Sequence, residues 1–313
     1  MATALVTGGT AGIGNAFVRA LAARGDDVII VARDTERMNA LAAELTRTFG
    51  VEVECITADL AQRPDLDRVA ARVEDPDRPI DLVINNAGFG LHSRLLDPDV
   101  EQHRLAIDVM CFAVLVISGA AARAMKARGS GRIINVSSTS AWIMAGNYSA
   151  IKAWVLRYTE SLAIELRGTG VTATALCPGW VHTEFHDRAG ISASSLPSIV
   201  WIPADELVRE CLRDAEAGKV ISIPTLKWKV AIAVAQYGPR GFVRWFSGKL
   251  SSSRHEQKDQ QRASMAARMQ TVAQKASDGV HLAAESTRQA AENTRHRVSS
   301  ALHREGGDSG SQA

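Results

Sequence analysis

The chain is short of cysteine, of aromatic residues, of long apolar runs and of net charge, and each shortage excludes something. Four cysteines in 313 residues, Cys55, Cys111, Cys177 and Cys211, lie scattered with no C-x-x-C pair and no nearby histidine. That spacing argues against a zinc site or a disulfide framework, so no metal is expected; buried free thiols in a reducing compartment are. No uninterrupted apolar run reaches the roughly 20 residues that cross a bilayer. Met1 leads straight through Ala2–Val6 into glycines, without a basic n-region or cleavage pattern, so an export signal is not expected and a cytoplasmic location is. Lys+Arg 36 against Asp+Glu 34 leaves a formal charge of +2, too little for a protein that holds nucleic acid through a global positive field. Aromatics are 5% of residues and the last is Phe246, so the composition changes before the chain ends.

What remains is enough for a large core: 46% hydrophobic and 22% charged residues. Seven short β-branched runs read as strands, at 4–7, 28–31, 51–57, 82–84, 132–136, 171–176 and 220–223. Most are continuously apolar, as strands covered on both faces are. Between them, helical periodicity spans 14–24, 35–47, 64–73, 100–125, 149–166 and 204–215. Strands alternating with helices predict a doubly wound α/β domain, a seven-stranded parallel sheet flanked by helices. This domain is expected over residues 1–225. Residues 226–250 interleave Trp228, Phe242, Trp245 and Phe246 with Lys227, Lys229, Arg240, Arg244 and Lys249. Two readings stand: a lid packed over the substrate pocket with its lysines reaching water, or a peripheral membrane contact. Residues 251–313 are a polar Ala/Gln/Arg/Ser-rich tail, expected as a fraying helix or disordered. A weak stripe through Met265, Met269, Val272 and Ala276 offers it a surface for a partner.

Chemistry gathers where strands end. Thr7–Gly14 reads TGGTAGIG directly after the first strand and opens the first helix. Gly8, Thr10, Gly12, Ile13 and Gly14 then let the backbone approach a pyrophosphate at the positive end of that helix. The second strand ends in Ala32-Arg33-Asp34. No carboxylate waits there for a ribose, and the Arg33 guanidinium suits a 2′-phosphate, which favours NADP(H) over NAD(H). The plainer reading makes Arg33 a solvated loop residue and Asp34 the cap of the next helix. Asn85-Asn86-Ala87-Gly88 closes the fourth strand. Ser137-Ser138 closes the fifth, followed by Tyr148 and Lys152. Four residues apart on a helix, Tyr148 and Lys152 share a face. An ammonium there is expected to lower the tyrosine pKa, and the phenol to exchange a proton with a carbonyl or alcohol oxygen that Ser138 also binds.

In this order and on these elements, the motifs resemble the short-chain dehydrogenase/reductase family over about residues 2–225, whose domain is a Rossmann fold. The resemblance adds Asp59 after the third strand and Pro178-Gly179, Val181 and Thr183 after the sixth. It implies that Asp59 and Asn86 help hold the adenosine side, and Ala87 and Gly88 join the residues expected to bind the cofactor. It implies that Lys152 grips the nicotinamide ribose and that the 178–183 loop closes over the nicotinamide. Ser138, Tyr148 and Lys152 become the catalytic set, and a homo-oligomer built on the long helices from Val100 and Ser149 is implied. Two features depart from the family pattern. Met110 stands where an Asn usually supports a proton-relay water, leaving backbone carbonyls, Asp108 or slow turnover as alternatives. The segment between Ser138 and Tyr148 is short, so 139–147 is expected to be tight, with Trp142, Ile143 and Met144 as an apolar pocket wall. The segments 89–95, 142–147 and 180–201 are rich in large apolar residues, which points to a hydrophobic ketone, aldehyde or secondary alcohol. His182 and His186 read as solvated loop residues. A catalytically weakened cofactor sensor and a scaffold acting through the tail are the competing functions.

Overall fold

The computed structural model describes residues 2–91, 93–181, 200–239 and 241. Seven strands form one parallel sheet: β1 (Thr3–Thr7), β2 (Asp27–Ala32), β3 (Val53–Thr57), β4 (Leu82–Asn85), β5 (Gly131–Val136), β6 (Val171–Leu176) and β9 (Ile221–Ser222). Their spatial order is β3-β2-β1-β4-β5-β6-β9, and every pairing is parallel. The short pair β7 (Trp180–Val181) and β8 (Trp201–Ile202) stands apart from it.

Continuous apolar runs make this sheet because successive residues feed opposite faces. In β1, Ala4 and Val6 enter one core while Leu5 enters the other; in β2, Val28 and Ile30 oppose Ile29 and Val31. The first core is covered by α1 (Gly12–Ala23), α2 (Thr35–Phe49) and α7 (Ala204–Glu216). The second is covered by α3 (Arg63–Glu74), α5 (Ala113–Arg128) and α6 (Asn147–Glu165). Side chains as large as Phe17, Leu21, Met38 and Ile117 are shut away from water, each such burial contributing about 1.5–3 kcal/mol.

Local chemistry sets the ends. Asp34 caps α2 by accepting from Arg37 N at 3.0 Å, which is the plainer role foreseen for it. Gly50 and Gly129 stop α2 and α5 in left-handed conformation. The helix predicted from Val100 is real but interrupted: α4 (Glu101–Ile107) passes through a π-helical turn, Asp108–Phe112, before α5. By length and apolarity the span Glu101–Arg128 resembles a membrane segment, yet 56% of its apolar window is buried inside the fold. It is a core helix. The apolar–basic segment after residue 225, read as a pocket lid or a membrane contact, begins with α8 (Leu226–Tyr237).

Reversal of strand order between β1 and β4 opens a crevice at the carboxyl ends of the strands, where ligands bind in such sheets. The residues singled out from sequence follow β1, β2, β3, β4, β5 and β6 and therefore converge on that edge. The segment 182–199 and everything beyond 241 lie outside the described residues, and with them Thr183, His182, His186 and the 251–313 tail.

Candidate active site

At the crevice, the glycine turn after β1 is fastened to the end of β4. The Asn86 side-chain amide donates to Thr7 O at 2.9 Å and to Gly8 O at 3.3 Å. Thr7 Oγ1 accepts from the backbone N–H groups of Asn86 and Ala87 at 2.9 and 3.0 Å. A Cβ on Gly14 would lie 2.3 Å from Gly8 O and 2.4 Å from Asn86 Nδ2, so only glycine fits there. Gly8 and Gly12 hold φ of 67° and 53°, a region open to glycine. α1 then starts with no side-chain cap and no acidic residue in its first turn, leaving its N-terminal N–H groups for an anion. This cradle fits a pyrophosphate. Thr10 and Ile13 are half-buried beside it, Ile13 against the first core. Asn86 thus shapes the cradle through its own amide, and Ala87 packs on the second core.

Around the adenosine end, Arg33 is exposed past β2 and makes no ion pair or hydrogen bond with the described residues. Asp59 is half-buried past β3, its Oδ1 accepting from Ala61 N at 3.1 Å.

On the far side of the crevice, Ser138, Tyr148 and Lys152 come together. Ser138 lies beside the Tyr148 hydroxyl, near enough to favour its ionised form. Lys152 Nζ lies 5.7 Å from the Tyr148 ring centroid and donates to Val136 O at 2.9 Å. Ser137 Oγ donates to Lys152 O at 2.7 Å, tying α6 to the end of β5. The short connection is tight, as foreseen: a 3-10 turn, Thr139–Trp142, is hung from Ser138 Oγ, which accepts from Ser140 N at 3.1 Å. Asn147 Nδ2 donates to His103 Nδ1 at 3.0 Å, and His103 Nε2 then donates to Arg94 O at 3.1 Å. This link from α4 to the start of α6, just before Tyr148, has no signal in the sequence.

The electrostatics correct one expectation. A lysine-lowered tyrosine is the sequence expectation; instead burial pushes Tyr148 up to about 12, only partly offset by the neighbouring Ser138. Burial likewise pushes Lys152 down to about 8, with Cys111 and Cys177 opposing it weakly. In the protein by itself desolvation outweighs attraction between the pair, because the ammonium is aimed at Val136 O.

The Met110 departure also takes shape. Met110 is 1% exposed and packs with Ala106, Cys111 and Ile151, against which Tyr148 also rests. A Cβ on Gly88 would come within 3.1 Å of its sulfur. Asp108 is half-buried and engaged by Arg104, whose Nη1 donates to its Oδ2 at 2.8 Å. Trp142, expected in the pocket wall, packs instead on Leu156, Ala175 and Cys177, while Met144 is exposed.

Past β6, Pro178 O accepts from Thr139 N at 2.9 Å, and Val181 turns into the first core beside Ile202. Gly179 meets an unforeseen neighbour. A Cβ there would fall 2.1 Å from the Trp228 ring of α8. Beneath the site lies a second feature the sequence reading missed. Asn85 Nδ2 donates to Ser118 Oγ and Asn135 Oδ1, both at 2.9 Å, and Asn135 Nδ2 donates to Thr159 Oγ1 at 3.0 Å. A lone Asn inside the apolar run Ile133-Ile134-Asn135-Val136 was its available signal. All four cysteines are free, three of them buried.

The short chain dehydrogenase family model matches residues 2–191. The 7β-hydroxysteroid dehydrogenase of Collinsella aerofaciens is 35% identical over 182 residues, covering 56% of this chain and 67% of that one. Among solved structures, a short-chain dehydrogenase from Sphingobium yanoikuyae in complex with NADPH is 32% identical, with a TM-score of 0.69 over 75% of this chain and 94% of that one. The bulky-bulky ketone specific alcohol dehydrogenase from Comamonas testosteroni is 28% identical, with a TM-score of 0.66 over 75% and 92%. Match, motifs and crevice agree: the chain belongs to the short-chain dehydrogenase family and is an oxidoreductase of that family.

Proposed function

We propose that the protein is an NADP(H)-dependent oxidoreductase that interconverts a hydrophobic ketone or aldehyde and the corresponding alcohol, with Tyr148 as the acid/base. The observation that carries this is the convergence of Tyr148 with Ser138 and the buried Lys152, whose Nζ lies 5.7 Å from the Tyr148 ring centroid. The glycine cradle of Gly8, Thr10, Gly12, Ile13 and Gly14 would take the pyrophosphate, Arg33 the 2′-phosphate, Asp59 the adenine side, and Lys152 the nicotinamide ribose. Gly88, Pro178, Gly179, Val181 and Thr183 would flank the ring. When bound, the cofactor supplies the hydride. Tyr148 holds its proton at neutral pH, since burial raises it, and passes it from Oη to the substrate oxygen. Ser138 Oγ donates to that same oxygen and fixes its position. NADP preference rests on the exposed, unengaged Arg33 and on the absence of a carboxylate at the end of β2.

Apolarity of the substrate is supported by the half-buried Phe89 and Leu91 beside Tyr148 and Met110, and by the steroid and bulky-ketone activities named for the two relatives. A homo-oligomer is supported by apolar side chains left exposed along α5 and α6, among them Leu115 and Trp154. Free buried thiols accord with a cytoplasmic location.

The test is an NADPH-oxidation screen against cyclic and long-chain ketones, with NADH in parallel. Tyr148→Phe is expected to lower kcat at least about a thousandfold while NADPH binding changes less than about threefold. NADPH binding with no turnover of any ketone would instead favour a cofactor sensor, the reading to which the buried Met110 lends weight.

A further inference from the structure

α6 starts weakly for a helix that carries the acid/base. Gly146 precedes it without a capping side chain, and the first backbone bond, from Ala150 N to Gly146 O, is long at 3.5 Å. Ser149 Oγ accepts from Ala145 N at 3.3 Å, which ties the turn only to the residue before Gly146. A first turn held this loosely frays unless another element grips it. Tyr148 is the second residue of that turn.

The grip comes from His103 on α4. Arg94 O can only accept a hydrogen bond, so its 3.1 Å contact with His103 places the proton on Nε2. With that proton in place, Nδ1 of the neutral ring accepts, and Asn147 Nδ2 donates to it at 3.0 Å. One imidazole thus joins two parts of the site. Through Asn147 it holds the residue bonded to Tyr148. Through Arg94 it holds the end of the 89–94 stretch, whose Phe89 and Leu91 pack with Tyr148 around Met110 and Ile151. The turn after Arg94 is built to meet α4: Asp97 N donates to Arg94 O at 3.0 Å, Asp99 N to Asp97 Oδ1 at 3.1 Å, and Glu101 N to Asp99 Oδ1 at 3.0 Å.

We propose that His103 is a positioning residue for the reaction, setting Tyr148 through Asn147 and the apolar 89–94 stretch through Arg94 O. The proposal rests on Tyr148 being the acid/base. Proton transfer needs the phenol within hydrogen-bond reach of the substrate oxygen, and a misplacement of about 1 Å costs on the order of a hundredfold in rate. The two arms of the imidazole serve different steps. The Asn147 arm acts on proton transfer, the Arg94 arm on the wall that receives the ketone.

The test is steady-state kinetics of the full-length protein with NADPH and acetophenone or cyclohexanone. By bond count, an Asn carboxamide oxygen reaches where Nδ1 stands, and a Gln amide nitrogen reaches where Nε2 stands. His103→Asn therefore keeps the Asn147 arm and is expected to hold kcat within about twofold while KM for the ketone rises about fivefold. His103→Gln keeps the Arg94 arm and is expected to lower kcat about tenfold, with KM for the ketone within about twofold. His103→Ala loses both arms and should show both effects. KM for NADPH should stay within about twofold throughout. A merely structural role would lower Tm and activity in step in every variant, and that result would overturn the proposal, as would wild-type kinetics in His103→Ala. A wild type that turns over neither ketone would count against the acid/base reading instead, and hydrogen–deuterium exchange then decides the tie itself. In peptides spanning 149–153, His103→Gln should exchange at least about tenfold faster than wild type and His103→Asn should not; equal protection in all of them would overturn the proposal.

Discussion

Trp228 occupies the space that a side chain on Gly179 would need, its ring 2.1 Å from where a Cβ would sit. Gly179 belongs to the Pro178-Gly179 pair read from sequence as part of the cofactor loop, and Trp228 to the apolar–basic segment read either as a lid over the pocket or as a membrane contact. Their contact makes α8 a backing for the site's rim. Gly179→Ala should therefore force the indole out and cost about 1–3 kcal/mol of stability. Pairing it with Trp228→Leu should recover much of that loss, because the smaller side chain vacates the space. Urea unfolding of the two single variants and the double variant checks this; additive losses would show that the contact is not the cause.

A second substitution tests the cradle. In Gly14→Ala the new Cβ would lie 2.3 Å from Gly8 O and 2.4 Å from Asn86 Nδ2. Neither can yield easily, one being backbone and the other an amide held on Thr7 O. The turn must open, and NADPH affinity should fall at least about tenfold, as titrated by tryptophan fluorescence. Asn86→Ala should produce a similar loss without introducing any clash. Agreement between the two would locate the effect in the fastening of the turn.

These two predictions also show what sequence could and could not convey. The sheet was legible because most of its strands are continuous apolar runs whose alternate residues feed two cores, as Leu5 against Ala4 and Val6 illustrates. The glycine turn and the Ser138, Tyr148 and Lys152 set were legible because their chemistry needs fixed residue types at fixed offsets. Trp228 was not, since its contact with Gly179 joins positions 49 residues apart through tertiary packing alone. Nor was the balance at Lys152: spacing puts it on one face with Tyr148, but burial and the pull of Val136 O decide its charge. Trp142 failed for a related reason, because an apolar residue in a loop suits a core as well as a pocket.

Arg33 is open to direct test. It is exposed, and no described residue engages it. If it meets the 2′-phosphate, Arg33→Ala removes a charge-assisted contact of about 1.5–3 kcal/mol. The KM for NADPH should then rise about ten- to a hundredfold, while that for NADH moves less than about threefold. Equal changes for both cofactors would return Arg33 to an ordinary surface role.

Lys152 and Tyr148 give the cofactor-free protein a pH signature. Lys152 falls from its ordinary 10.5 to about 8. Below that value folded and unfolded chains both hold the proton, and the full cost of burying an ammonium is present. From about 8 to 10.5 the folded protein sheds a proton that the unfolded chain keeps, so stability rises with pH. Tyr148 works oppositely: raised from 10.0 to about 12, it keeps in the folded state a proton that the unfolded chain loses, so stability falls above 10. Urea unfolding at about pH 7.5 and 9.5 should show wild type gaining on the order of 1–2 kcal/mol from Lys152. Lys152→Met should lack that gain and retain the decline at higher pH, whereas Tyr148→Phe should keep the gain and lose the decline. A wild-type protein whose stability is flat from 7.5 to 9.5, and matches Lys152→Met throughout, would mean that the ammonium is not buried as the structure has it.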